Sequence, residues 1–120
     1  MTDNENNISQ IAALNDRFRV SLGLPAFSGG IPGRVVMTAG IAAHSPEDLT
    51  AILCKVREFN TFTEDNDPHG LHDFGAFYHE AQRMFWKIDY YAPDMNHGSE
   101  DPADLSKTVR VLTIMLASEW

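Results

Sequence analysis

Apolar residues recur at helical spacing first at Ile8, Ile11, Leu14, Phe18 and Leu22. They share one face, and Asp16, Arg17 and Arg19 lie mostly off it. Asn7 is placed to cap this helix and Gly23 to stop it. The polar residues 1–7 read as a disordered tail, and residues 8–120 as a single domain. Residues 23–33 hold four glycines and two prolines, which predicts a loop. Its Gly29-Gly30 pair is not followed by the Gly-Lys-Ser/Thr of a nucleotide loop.

Residues 34–38 predict a short strand. Ser45-Pro46 then opens a second helix over residues 46–58, with Asp48 where a capping-box acid belongs. Leu49, Ile52, Leu53, Val56 and Phe59 form its apolar face, with Cys54 on the far side. Periodicity then changes. After a polar loop at 60–73, residues 74–79 and 83–91 alternate as a β-hairpin about Glu80-Ala81-Gln82. Met84, Trp86, Ile88 and Tyr90 point to the core, and Phe85, Lys87, Asp89 and Tyr91 point to solvent. A second acidic loop covers 92–104. Residues 109–117 are apolar on both faces, as in a central strand or a buried helix, and their β-branched content tilts the reading to strand. The resulting class is α+β: two helices packed on one face of a mostly antiparallel sheet of about four strands.

Composition narrows the partners. At 120 residues and 43% hydrophobic the chain suffices for one core. Its 17 acidic and 9 basic residues leave a net charge of −8, which repels phosphate backbones and favours a partner protein with a basic surface over direct nucleic-acid binding. One cysteine allows no intrachain disulfide, and no apolar run approaches the roughly 20 residues of a membrane helix. With a polar N-terminus unlike a signal peptide, the expected compartment is the cytoplasm.

Candidate chemistry concentrates at 64–73, where three aspartates and two histidines fall within nine residues. Asp65-x-Asp67-x-His69-Gly70 opens like a calcium loop, but Ala76 stands where the bidentate glutamate belongs. His69, His72 and an aspartate could hold zinc or iron. The competing reading is a turn: Asn66 and Asp67 bond backbone amides, Pro68 fixes φ and Gly70 takes a positive φ. The turn is preferred, so neither metal nor cofactor is assigned. No Gly-x-Ser-x-Gly is present, and His44, His79 and His97 stand apart.

Four segments together carry a resemblance. They are residues 11–16, the run Asn66-Asp67-Pro68-x-Gly70-x-His72-Asp73-Phe74-Gly75, the run Phe85-Trp86-Lys87-Ile88-Asp89-Tyr90-Tyr91, and residues 110–117. Over about residues 8–120 the chain resembles a family of short bacterial proteins described only as a domain of unknown function. The resemblance implies proteobacterial chromosomes and mobile elements as its setting, and carries no activity and no catalytic residues. The chain departs from it in a longer loop at 23–32 and a hairpin turn without Asp-Gly.

Two functions are expected from this. The first is a small acidic binding protein, an inhibitor of a host nucleic-acid-handling or defence system such as restriction or CRISPR. Asp65, Asp67, Glu100 and Asp101 would supply charge, and Phe85, Lys87, Asp89 and Tyr91 the contact face. The alternative is a small metal-dependent enzyme centred on the 64–73 loop. Binding is preferred, because no complete catalytic constellation can be assembled.

Overall fold

The computed structural model describes residues 3–120. Helix α1 runs Asp3–Val20, α2 Pro25–Ser28, α3 Ala39–Ala42 and α4 Pro46–Glu58. Strands are β1 Gly33–Met37, β2 Phe74–His79, β3 Gln82–Tyr91 and β4 Val109–Leu116, with 3₁₀ turns at Leu105–Lys107 and Ala117–Glu119. The class is α+β. The four strands lie in the order β1-β4-β3-β2, with β1 parallel to β4 and the other pairs antiparallel. The sheet is therefore mixed, though mostly antiparallel. Four helices are present among the described residues where two were expected. Among the same residues no helix is long and apolar enough to cross a membrane.

Helix α1 differs from expectation at both ends. It begins at Asp3, so residues 3–7 of the expected tail are helical, and Met1 and Thr2 lie outside the described residues. It ends at Val20, ahead of the expected stop at Gly23. Leu22 takes φ +50°, its N–H bonds Arg19 O at 3.0 Å, and Gly23 N–H bonds Phe18 O at 3.0 Å. That is a Schellman ending with leucine in the left-handed position. Leu22 thus leaves the helical face on which its spacing placed it. The loop that follows is not wholly irregular, since Pro25 starts the single turn α2 inside it.

Ser45 caps α4 as its sequence implies, with Oγ accepting from Asp48 N–H at 3.2 Å and Pro46 in the first turn. Asp48 does not close the box on the backbone. Its carboxylate takes the Ser45 hydroxyl at 3.1 Å and His79 Nε2 at 2.9 Å. The hairpin turn is shorter than expected. Gln82 pairs with His79, leaving only Glu80 and Ala81 in the turn at φ +49° and +67°. Two consecutive positive φ values make a type I′ turn, whose twist suits a two-residue hairpin.

One core joins these elements. Leu14 and Phe18 of α1, Ile41 of α3, and Ile52 and Val56 of α4 cluster with Met84, Trp86, Ile88, Leu112 and Ile114. Trp86 is fully buried, with Phe59 edge-on to it at 5.5 Å. A Cβ on Gly75, the neighbour of Trp86 in the sheet, would overlap the indole, so that position requires glycine. Arg19 is not off the core, as its spacing suggested. It is 2% exposed, its guanidinium lies 5.1 Å from the Trp86 ring, and it donates to Val56 O and Arg57 O at 3.1 Å.

Candidate functional site

The side chains of the Asp/His loop bond to its own backbone and to neighbouring elements. Asp67 accepts from Leu71 N–H at 3.1 Å and His72 N–H at 3.3 Å, and its side chain is 7% exposed. His72, at φ +55°, sends Nδ1 to Asp16 at 3.0 Å and stacks on Phe62 with ring centroids 3.9 Å apart. Asp73 turns the other way and accepts the Tyr90 hydroxyl at 3.0 Å. Tyr90 OH in turn accepts from Asn15 Nδ2 at 2.8 Å, and Asn15 Oδ1 accepts from Arg110 Nε at 2.7 Å. Arg110 is fully buried over the Tyr90 ring and also donates to Pro102 O at 2.7 Å. Each motif that carried the family resemblance contributes to this network: Asn15 and Asp16, Asp67 to Asp73, Tyr90, and Arg110. Their spacing encodes a buried polar clamp across four segments.

Burial sets the electrostatics of this clamp. It pushes the Asp73 carboxyl above its ordinary value, against the Tyr90 hydrogen bond that lowers it. Burial together with the adjacent Asp73 pushes the Tyr90 hydroxyl up. Both Arg19 and Arg110 are drawn down by burial. A group able to hold a metal ion does occur among the described residues, at Asp48, His79 and Glu80, not in the loop. There the His79 Nδ1 faces Lys55 Nζ at 3.1 Å. Lysine can only donate, so the proton sits on Nε2 and points at Asp48. A metal at Nε2 would have to displace that proton while Nδ1 stays occupied, which disfavours ligation.

The sheet face opposite the core is the more accessible surface. Register sets its rows: Asp89 beside Val111, Lys87 beside Thr113, Phe85 beside Met115. Phe85, Lys87, Asp89 and Tyr91 are thus brought together on one face, and Lys87 Nζ pairs with Asp89 at 2.9 Å. A groove of about 390 Å³ runs along Lys87, Asp89, Tyr91, Val111 and Thr113 and is closed by Trp120. Trp120 is 71% exposed, with Phe74 at 5.7 Å and Phe85 at 5.6 Å, both edge-on. The 3₁₀ turn before it is tied down by Glu119, which accepts from Thr38 Oγ1 at 2.6 Å, Leu116 N–H at 2.8 Å and Gly40 N–H at 3.0 Å. The Thr38 hydroxyl first, then the Leu116 amide, hold the Glu119 carboxyl below its usual range.

The acidic residues expected beside this face do not line its groove. Asp65 is exposed in the 60–73 loop, and Glu100 borders a separate hollow near Asp94, His97 and Lys107. Asp67 is occupied as described, and Asp101 Oδ1 accepts from Ala103 N–H at 3.1 Å. Sequence reasoning passed over Trp120, Phe74 and Glu119. Trp120 carried a usable signal, a large aromatic four residues past the end of a strand, whereas the long-range bonds of Glu119 leave none.

These features define a small α+β protein with a buried polar clamp and an open, aromatic-anchored sheet face. Residues 37–119 match the family described as a protein of unknown function, DUF3768, and the chain belongs to that family. The matched stretch holds three of the four resembling segments and leaves out residues 11–16. Neither a curated protein nor a solved structure matches the chain.

Proposed function

We propose that this chain is a binding protein that acts by occupying a partner protein through its open sheet face. The carrying observation is Trp120, held beside Phe74 and Phe85 yet 71% exposed, at the end of a groove that also presents Tyr91 and the Lys87–Asp89 pair. Large aromatics placed rigidly with an exposed face are the residues that anchor protein contacts. The net charge of −8 favours a partner with a basic surface, and within this reading the chain inhibits a nucleic-acid-handling or defence protein of its bacterial host. The metal-dependent alternative at 64–73 has less support, since Asp67 is taken up by the Leu71 and His72 backbone amides, His72 Nδ1 by Asp16 and Asp73 by Tyr90.

Affinity capture from a bacterial lysate tests the reading, with the full chain and its Trp120→Ala and Tyr91→Ala variants as parallel baits. A basic protein retained by the parent and lost from both variants is the expected result. Retention that ignores both substitutions removes the sheet face from consideration.

A further inference from the structure

A second surface lies where α1 gives way to the 21–30 loop. Val20, Leu24 and Phe27 are 48%, 54% and 77% exposed there, around a groove of about 350 Å³. Arg17 and Arg57 stand on its rim. Arg17 Nη2 donates to Ser28 O at 2.9 Å and Arg57 Nε to Val20 O at 3.0 Å. Among the described residues neither guanidinium makes an ion pair, although acids outnumber bases 17 to 9 in the chain. Two uncompensated cations therefore flank an apolar hollow on an otherwise acidic protein.

The loop is shaped to keep this arrangement. Leu22, Gly23, Gly29 and Gly30 all take positive φ. A Cβ on Gly29 would overlap the Arg17 guanidinium, so the backbone closes directly onto that side chain. Ser28 is fully buried and its Oγ accepts from Ile31 N–H at 3.1 Å, which pins the base of the loop while Phe27 stands out. Residues 17–27 also precede the stretch matched to the family, so most of the groove lies outside it.

We infer that this groove docks a peptide segment of another protein, one that presents a large apolar side chain flanked by aspartate or glutamate. Apolar burial against Leu24 and Phe27 supplies contact, and the arginines select acidic flanks through charge-assisted hydrogen bonds. The hollow is open and its largest side chain protrudes, which suits a side chain arriving on a backbone better than an engulfed small molecule. Polyanionic nucleic acid is disfavoured by the net charge.

A random peptide library displayed on phage, selected against the immobilised full chain, tests this. Enriched peptides are expected to place an aromatic or large aliphatic residue within a few positions of aspartate or glutamate. Synthetic versions should lose about tenfold or more in affinity on Phe27→Ala and on Arg57→Gln. Amide resonances of residues 20–28 should move on titration. Circular dichroism and the melting temperature of the exposed-site variants serve as folding controls. Enrichment of basic or neutral peptides, no enrichment, or undiminished binding to both variants overturns the assignment.

Discussion

Among the described residues, no carboxylate forms an ion pair with Arg110, which sits in the sheet. Its guanidinium donates to the Asn15 and Pro102 oxygens and lies over the Tyr90 ring. Tyr90 joins this group to Asp73, whose carboxyl burial pushes upward. A folded-state value raised above the ordinary 3.8 means that the native protein binds the Asp73 proton more tightly than the unfolded chain. The stabilising contribution of this group is therefore full below about pH 4 and is lost as pH rises through the raised folded value. Asp73→Asn keeps an acceptor for Tyr90 and removes the charge. In urea denaturation across pH, the variant should gain on the parent as pH rises through that interval and then hold a constant lead. A lead that shrinks with rising pH would show the carboxylate to be favoured by the fold instead.

At the scale of elements, the hairpin turn is the least suited to its sequence. Glu80 and Ala81 both occupy the left-handed region, where a side chain costs roughly 1 kcal/mol or more. Replacing them together, Glu80→Asn with Ala81→Gly, should raise stability by about 1 kcal/mol in chemical denaturation, since Asn-Gly is the preferred type I′ pair. No gain would mean that contacts of Glu80 near His79 compensate for the strain. Other elements were legible in proportion to their local signals. Ser45-Pro46 marks α4 because cap and proline act within one turn, and the β3 alternation marks its two faces. The four residues of α3 are too few to show a period. Arg19 misled because its charge marks solvent, whereas Asp16 one turn back, carbonyls of α4 and the Trp86 ring hold it inside the fold. The sheet groove was half legible: β3 declared its own outward residues, while Trp120 and Glu119 reach it only through the tertiary fold.

Charge is a property of the whole molecule, and the fold redistributes it. Asp67 and Asp101 are engaged by their own loops, while Asp65 and Glu100 remain exposed. Association with a basic partner should therefore slow clearly between low salt and about 0.15 M. Asp65→Lys and Glu100→Lys should slow it further with little loss of stability, because exposed charges contribute little to folding. Asp67→Lys should instead cost about 1–3 kcal/mol, since it strands two backbone amides. Stopped-flow binding and thermal melts separate these effects, and association indifferent to salt and to both exposed substitutions would refute the steering role.

The placement of β4 between β1 and β3 has a bearing on how a cell makes this protein. Synthesis proceeds from the N-terminus, so α1, β1, α4 and the hairpin all leave the ribosome before the strand that joins them. Until β4 emerges, β1 has no neighbour and Phe18, Ile52 and Trp86 lack the Leu112 and Ile114 that complete their packing. Through that interval the nascent chain carries uncovered apolar surface and two unpaired strand edges, the features that chaperones hold and that neighbouring chains aggregate upon. Completion of the sheet and core thus waits on β4.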